Sequence, residues 1–290
     1  MRERFWDFVA ARHHVWHLRF EEGVIPPWTT DTALRDYHFT NVYRDLDPGT
    51  TFLRAWLRVH REQMAEPAEA VFNALAYRYC MTEAGARAAG WLALRSGAVR
   101  RVAEAAAHPW FWHSAYHIRP YGPGANAKGL PRETGLRILL QDWIDQRDRM
   151  ARVLDLRDRE DVAGQLQKLP GVGPFLAYQV LVDLSYEGDE VLRCGGNDGW
   201  VLPGPGALKG ASLLLGGRAS ADDARSLIDQ LSAEQDDELG AREFPWWYGG
   251  EQEGPLSKAD LQNCLCEFYK YVALSDGKRP RIRRYHGGGG

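Results

Sequence analysis

The hydrophobic and polar positions of this chain recur mostly with the period of an α-helix. In the stretch RFWDFVAARHHVWHLRFEEG, apolar side chains return at helical spacing, and the predicted helix stops at Gly23 and the PPW break. The clearest amphipathic segments are 69–79 and 134–152, and strand-like patterns are confined to 114–120 and 190–193. Further helices are predicted over 50–64, 67–80, 82–92, 97–107, 133–154 and 158–168.

These patterns predict a mostly α fold with two lobes. A length of 290 residues and a hydrophobic fraction of 44% are sufficient for a sizeable core. The sequence contains no internal repeat, so a single bilobed helical unit is predicted over residues 1–290. The Gly/Pro-rich stretch RPYGPGANAKGLP at 119–131 is the predicted crossing between the lobes.

Charge and cysteine content narrow the possible functions. The formal net charge of −3 gives no overall attraction for nucleic acid, so such a partner would need a local basic surface. The four cysteines lack zinc-ligand and iron–sulfur spacing, which predicts a reducing compartment and no metal. No apolar run reaches the roughly 18 residues that cross a bilayer, so a cytoplasmic protein without a membrane partner is expected.

The stretch LPGVGPF predicts a tight turn between two helices. Its first proline ends the preceding helix, and Gly171 and Gly173 permit the turn. The next helix opens near Pro174 with unpaired N–H groups, which bind phosphate well. Residues 166–186 are therefore predicted to form a helix-hairpin-helix motif that holds a DNA backbone through Gly171, Val172 and Gly173. A plain pair of helices with a glycine turn is the alternative.

A carboxylate in a glycine-rich loop is the candidate catalytic group. Asp198 lies in GGNDGW, directly before VLPGPGALKG, and GPGA opens another helix whose N–H groups form a second predicted anion site. Asp183 lies inside the helix after the turn and is predicted to be a polar-face or capping residue. The GxxxxGK[ST] pattern of phosphate-binding loops is absent from the sequence, so kinase activity is not expected and no cofactor is predicted.

Several stretches together resemble one branch of the helix-hairpin-helix DNA glycosylase superfamily. They are PPWTTDTALRDYHFTNVYRDLD, FNALAYR, LPGVGPFLAYQV, GPGALKG and LQNCLCEFYKY. The branch comprises the phage thymidine hypermodification proteins. Its members include the α-glutamyl/putrescinyl thymine pyrophosphorylases, also called amino acid:DNA transferases, and the helical domain of 5-hydroxymethyluracil DNA kinases. The resemblance spans nearly the whole chain and implies a two-lobed, DNA-glycosylase-like helical fold.

The resemblance also implies a reaction. In such phages a kinase adds pyrophosphate to 5-hydroxymethyluracil in DNA, and a glycosylase-like enzyme replaces that pyrophosphate with an amine or amino acid. Asp198 is the expected catalytic residue, as nucleophile or as base, and the target base must leave the duplex to reach it. The expected partners are double-stranded DNA containing modified thymine, a small amine or amino acid, and a functionally linked 5-hydroxymethyluracil DNA kinase.

The same resemblance suggests substrate-binding residues. Asn41 and Arg44, in the polar stretch NVYRDLD, match the family's Asn-x-x-Arg pattern and are expected to hold the base edge or a phosphate. A salt-bridge network between the lobes is their alternative role. Gly204, Gly206 and Lys209, in GPGALKG, are expected to bind the leaving pyrophosphate.

A basic and glycine-rich tail occupies 277–290, and its terminal GGGG is expected to be flexible. Its arginines are expected to contact DNA phosphates and so give an acidic protein its DNA footprint. They are Arg279, Arg281, Arg283 and Arg284. The acidic run EQDDE at 234–238 is predicted to be a solvated loop.

Two other functions remain open at this point. A monofunctional DNA glycosylase would use Asp198 to hydrolyse the N-glycosidic bond, whereas lyase activity is disfavoured because the helix after the turn contains no lysine. A non-enzymatic helical module would present DNA to a separate kinase. In that case Asp198 would be dispensable, while the glycines of the turn would still matter.

Overall fold

The structure, a computed structural model, describes residues 1–113, 130–188, 191–249, 252–280 and 282–285. Over this part of the chain the protein is mostly helical, as predicted, and its regular strands form one short antiparallel hairpin. The predicted crossing at 119–131 lies almost entirely outside the described residues, and so does the extended piece at 114–120.

The described residues form thirteen α-helices and three short 3-10 helices. The α-helices are α1 (Arg2–Phe20), α2 (Thr32–Asp36), α3 (Pro48–His60), α4 (Ala68–Cys80), α5 (Glu83–Ala89), α6 (Ser96–Ala106), α7 (Arg132–Asp145), α8 (Arg147–Asp155), α9 (Arg159–Leu166), α10 (Pro174–Ser185), α11 (Pro205–Leu215), α12 (Ala221–Gly240) and α13 (Lys258–Ser275). The 3-10 helices cover Arg44–Leu46, Arg61–Gln63 and Pro109–Phe111, and the hairpin pairs β1 (Tyr248–Gly249) with β2 (Gln252–Glu253).

The chain divides into two compact units. Unit 1 comprises Met1–Asp47 and Val201–Gly290, and unit 2 comprises Pro48–Trp200. Helices α1, α2 and α11 to α13 therefore belong to unit 1, and α3 to α10 belong to unit 2. Unit 2 is continuous in sequence, whereas unit 1 is assembled from two segments.

Helix α4 forms the centre of unit 2. Every residue of α4 except Tyr79 is buried, and the helix packs against α8 and α10. On α10, Val180, Leu181 and Leu184 are completely buried. Burial of each such side chain contributes about 1.5–3 kcal/mol to stability. The predicted turn therefore leads directly into a helix that the core of unit 2 holds in place.

In unit 1, glycines allow α11 and α13 to pack closely. A Cβ atom added at Gly210 would collide with the backbone carbonyl of Leu265, and one added at Gly206 would collide with the Cys266 sulfur. The overlap at Gly210 could be relieved only by moving the backbone, and that at Gly206 by moving the Cys266 side chain. Two glycines of the GPGALKG stretch are therefore explained by helix packing.

Helix α12 corrects a prediction made from charge. The run EQDDE at 234–238, which we interpreted as a solvated loop, lies inside this helix. Ser220 caps the helix, and its side chain and that of Asp223 bond reciprocally to the backbone. Leu227, Ile228 and Leu231 are buried on one face. The acidic residues occupy the same helix because its apolar spacing continues through them.

Two further predictions differ from the structure. The predicted helix at 133–154 is two helices, α7 and α8, separated at Gln146, whose φ of −106° and ψ of 24° are not helical. The predicted extended piece at 190–193 is also wrong, since its described residues, 191–193, form a turn and bend.

Candidate functional site

The sequence predicts that the turn between α9 and α10 requires glycine at two positions. The structure shows this requirement at one of them. Gly171 has a φ of +70°, which favours glycine, whereas Gly173 has a φ of −85° and open space where a Cβ would stand. The turn is anchored on both sides, because Val172 is buried and the Trp143 indole donates to the Pro170 carbonyl at 2.8 Å. Both glycines are exposed, so the α10 N-terminus is accessible.

A buried arginine, Arg159, holds the glycine-rich loop that carries the candidate catalytic residue. Only 3% of Arg159 is exposed, and its guanidinium binds the loop over several residues. It donates to the carbonyls of Gly195 (3.1 Å), Gly196 (2.8 Å) and Trp200 (3.0 Å) and to Oδ1 of Asn197 (3.0 Å). Another bond, to Ser185 Oγ at 2.8 Å, connects the same guanidinium to the end of α10.

Asp198 is exposed, as are the glycines of this loop. Its neighbour Asn197 is buried and donates to the Val182 carbonyl at 3.2 Å. A Cβ atom at Gly199 would lie 2.6 Å from the Arg159 side chain, so this position admits only glycine without rearrangement. Burial lowers the pKa of Arg159, and the Asp198 carboxylate is among the groups that oppose this shift. The loop thus presents one carboxylate to solvent from an anchored backbone.

Asp183 is not the polar-face or capping residue that the sequence suggested. It is completely buried, and its carboxylate accepts two hydrogen bonds from Arg78 of α4, one of them at 2.7 Å. Arg78 also donates to Thr50 Oγ1 at 2.9 Å. The pair connects the α10 core to α4, because a buried carboxylate requires a charged or hydrogen-bonding partner.

A second buried carboxylate in unit 2 forms salt bridges with three arginines. Glu187, just after α10, is within 3.3 Å of Arg54, Arg58 and Arg61, and its side chain is completely buried. The side chains of Arg58 and Arg61 are 47% and 40% exposed. The cluster therefore carries a surplus of positive charge on a surface whose side chains are held in place.

In unit 1, Asn41 and Arg44 lie at and beside a short 3-10 helix. The Asn41 side chain donates to the Leu46 carbonyl at 2.6 Å, and its backbone N–H donates to Asp47 at 2.8 Å. Arg44 is buried, and its backbone N–H donates to Asp260 at 2.7 Å. Local hydrogen bonds therefore fix Asn41, which also lines a small cleft.

Three further candidates of unit 1 lie at the start of α11. Gly204 is its N-cap residue, and a Cβ there would meet nothing within 4 Å. Gly206 faces Cys266, as described above. Lys209 is exposed, with its Nζ 4.8 Å from the centre of the Tyr269 ring. Lys209 therefore places an accessible positive charge near this helix start, over an aromatic ring.

Part of the basic tail is tied to the rest of unit 1. The Arg283 carbonyl accepts a bond from the His38 N–H at 2.9 Å, and Arg284 pairs with Tyr37 in an isolated antiparallel bridge. The Arg284 guanidinium lies 3.5 Å from the Asp36 carboxylate. Arg279 is exposed, whereas Arg281 lies outside the described residues.

The candidate residues fall into two groups. Asp198 shares unit 2 with the turn residues Gly171, Val172 and Gly173. The others in the described chain belong to unit 1: Asn41, Arg44, Gly204, Gly206, Lys209, Arg279, Arg283 and Arg284. Arg159 and Arg12 are not among the residues predicted from the sequence, although both are buried charges. A charge at an apolar-face position, as Arg12 is four residues after Phe8 on α1, is the signal that indicates burial.

The described part of the chain contains neither a metal-binding cluster nor a membrane-spanning helix. No group of three or more His, Cys, Asp or Glu residues there is arranged to hold a metal ion. Among the same residues, no helix combines the length and apolar character that a bilayer crossing requires.

Comparison with known proteins identifies relatives of this chain. A family model described as "5-hmdU DNA kinase, helical domain" matches residues 1–279. The 5-hmdU DNA kinase of Bacillus phage SP10 is 24% identical over 314 aligned positions, which cover 96% of this chain and 48% of the phage protein. The chain thus spans about half the length of that relative. No solved structure matches significantly.

Proposed function

Since the chain belongs to the family of 5-hmdU DNA kinase helical domains, we propose that it acts in thymine hypermodification, on DNA that carries a modified thymine. More narrowly, the proposed activity replaces the pyrophosphate of 5-pyrophosphooxymethyluracil in DNA with an amine or amino acid. The substrates are double-stranded DNA and a small amine or amino acid, and a 5-hydroxymethyluracil DNA kinase supplies the pyrophosphorylated base.

The observation that carries the transferase proposal is the position of Asp198. It is an exposed carboxylate on a loop whose backbone a buried arginine holds in place. A catalytic group must be positioned by a rigid support, and a carboxylate can act as either base or nucleophile. The turn that we propose as the DNA contact lies in the same unit.

The proposed reaction has two possible routes. In the direct route, the amine nitrogen bonds to the C5-methylene carbon while the carbon–oxygen bond breaks and pyrophosphate leaves with the electron pair. Asp198 then accepts the proton that the new ammonium group loses. In the covalent route, the Asp198 carboxylate displaces pyrophosphate to form an ester, and the amine displaces the carboxylate. Both routes require a flipped base.

The unit 1 candidates have proposed binding roles. The N-terminus of α11 at Gly204, with the exposed ammonium of Lys209 on the same helix, suits a phosphate group because unpaired N–H groups and positive charge are both available. Arg44 and Asn41 are proposed to hold the substrate. Gly206, which packs against Cys266, is proposed to contribute its backbone N–H to the same phosphate site. Arg279, Arg281, Arg283 and Arg284 are proposed to contact the DNA backbone.

A second candidate function is a non-catalytic helical module that binds DNA for a separate kinase. The family description favours it, because it names a helical domain of a kinase rather than a transferase. The chain's coverage of about half the SP10 kinase also fits a module that works beside a kinase part. Under this candidate Asp198 has no chemical role.

The test is a reaction on DNA containing 5-pyrophosphooxymethyluracil with a panel of amines and amino acids, followed by nucleoside digestion and mass spectrometry. An amine adduct that Asp198→Asn abolishes supports the transferase. Asp148→Asn, at another exposed aspartate of unit 2, is the matched control and should leave the adduct unchanged. Free base or an abasic site would indicate a glycosylase, and unmodified but bound DNA would indicate the module.

A further inference from the structure

A small cleft in unit 1 has an unusual combination of charge and aromatic walls. It has a volume of about 60 Å³ and lies between α1, the α2 region and the residues that lead to Asn41. Its lining includes the guanidinium-bearing Arg12 and Arg19 and aromatic side chains such as Trp16, Tyr37 and Phe39. All the residues that line it belong to unit 1, and none carries a carboxylate.

Arg12 is the buried charged residue in the lining of this cleft. Only 5% of Arg12 is exposed, and among the described residues its Nε and Nη1 atoms have no hydrogen-bond partner. Its Nη2 donates to the Cys264 sulfur at 2.9 Å, and its guanidinium carbon lies 5.0 Å from the centre of the Phe8 ring. A buried cation with unused donors is costly unless an anion accepts them.

No carboxylate in the described part of the chain forms an ion pair with Arg12. Burial raises the pKa of Cys264 to about 11, so the thiol is uncharged at neutral pH. Glu267, the buried carboxylate further along α13, is bound by Lys270 at 2.6 Å, and no ion pair joins it to Arg12 in the described chain. Arg19, which also lines the cleft, adds a second positive charge.

We propose that this cleft binds the carboxylate group of a small organic acid, with Arg12 as the principal donor. Asn41, another residue of the same lining, provides a further polar contact. The volume suits a carboxylate with a short apolar body better than a pyrophosphate, which is larger and has no apolar surface to place against the aromatic walls. A diamine would be repelled by both arginines.

The role of the bound carboxylate in the reaction rests on the proposed transferase function. There it makes the cleft the site of the co-substrate, which would be an amino acid bound through its α-carboxylate. Carboxylate recognition by arginine is strong and geometrically specific, because each hydrogen bond is charge-assisted.

The first experiment uses matched probes and no DNA. Propionate, n-propylamine and pyrophosphate are titrated into the full chain and followed by NMR. Propionate is expected to bind saturably and n-propylamine, with the same carbon chain and the opposite charge, not to bind. Arg12→Gln should weaken propionate binding by about tenfold or more. The control Arg218→Gln removes the same charge from an exposed site in unit 1 and should change binding by less than about twofold.

A second variant keeps Arg12 in place. Thr40→Glu adds a carboxylate at an exposed residue on the cleft lining, and it should also weaken propionate binding by about tenfold, by competing for the guanidinium. Absence of saturable propionate binding would overturn the proposal, and so would unchanged binding in both cleft variants. Tighter binding of pyrophosphate than of propionate at Arg12 would overturn the carboxylate assignment.

The reaction on DNA separates this inference from the proposed function. If propionate binds through Arg12 but no adduct forms with any amine or amino acid, the carboxylate site is supported and the transferase proposal is refuted. If adducts form with diamines but not with amino acids, the transferase stands and the co-substrate role of the cleft fails. Transfer from an amino acid that competes with propionate supports both.

Discussion

Arg159 on α9 and Asn197 in the glycine-rich loop are joined by a 3.0 Å hydrogen bond that is buried at both ends. The same guanidinium reaches Ser185 at the end of α10. One side chain therefore positions both the loop and the helix. Because the loop carries Asp198, its carboxylate is held at a defined place in unit 2. A side chain that acts in this way is a positioning residue, and its removal should affect reaction rate more than affinity for DNA.

The first prediction concerns the hydrogen bonds by which Arg159 holds the loop, which we call the clamp. Arg159→Lys keeps the charge but loses most of the planar set of donors, so the loop should lose its fixed backbone. Adduct formation should fall by about tenfold or more, whereas affinity for DNA should change little. Initial rates from mass spectrometry and DNA affinity from fluorescence anisotropy measure the two effects.

The matched control for the clamp is Arg157→Lys, at an exposed position two residues earlier in the chain. It should leave both measurements unchanged. An Arg159→Lys variant with full activity would show that the loop does not need this anchor.

The second prediction compares two glycines of the turn. Gly171→Ala places a side chain at a φ of +70° and should lower the free energy of unfolding by about 1 kcal/mol. Gly173→Ala meets no atom within 4 Å at an ordinary φ, so stability should change by less than about 0.5 kcal/mol. DNA affinity should nevertheless fall, because the new methyl group stands where a phosphate would approach.

Urea unfolding and anisotropy with a non-specific duplex measure the two properties separately. If Gly173→Ala binds DNA as well as the parent chain, this turn is not the phosphate contact. The plain pair of helices would then be the correct interpretation.

The third prediction concerns the buried pair of Arg78 and Asp183. Asp183→Asn leaves the guanidinium buried opposite a neutral group and should destabilise the protein by about 3 kcal/mol or more. The double variant Arg78→Met with Asp183→Leu should lose less than the sum of the two single changes, because no buried charge remains. Chemical denaturation of the parent chain, Arg78→Met, Asp183→Leu and the double variant gives the coupling energy. An additive double variant would mean that the pair is not an energetic unit.

The fourth prediction is a pH dependence of stability. Burial lowers the pKa of His13 to about 3, and the neutral ring bonds the Pro245 carbonyl at 2.9 Å. In the unfolded chain the same histidine takes up a proton near pH 6.5, so stability is fully present above that pH and declines as the pH falls toward the folded-state value. Between pH 7 and pH 5 the loss should be about 2 kcal/mol.

His13→Gln should remove this part of the pH dependence, whereas His14→Gln, at an exposed neighbouring residue, should retain it. Thermal unfolding at several pH values, with buffers of matched ionic strength, provides the comparison. Equal slopes for both variants would contradict the assignment.

The sequence predicted the helices whose periodicity and breaks are local. Helix α4 and the turn at Gly171 are examples, because apolar spacing and a positive φ are encoded within a few residues. Arg159 could not be recognised in this way. It follows the N-cap residue Asp158, where a charged side chain normally faces solvent, and only the tertiary contacts with a loop 36 to 41 residues later bury it.

The candidate site shows the same division. The exposed Asp198 could be selected from its glycine neighbours, whereas the packing role of Gly206 depends on Cys266, which is distant in sequence. A glycine that lets a ligand approach and a glycine that lets another helix pack closely have the same neighbours in sequence. To distinguish them, one must know which surface the glycine faces, and hydrophobic periodicity does not give that information.

The division of unit 1 between the two ends of the chain has a consequence during synthesis. The rings of Phe5 and Phe8 lie 5.4 and 5.8 Å from that of Phe268. The ribosome must therefore translate the chain as far as Phe268 before the aromatic residues of α1 meet their packing partner, a delay on the order of tens of seconds. Over that interval the nascent α1 exposes these aromatic rings to chaperones, and a product truncated before α13 would be prone to aggregation.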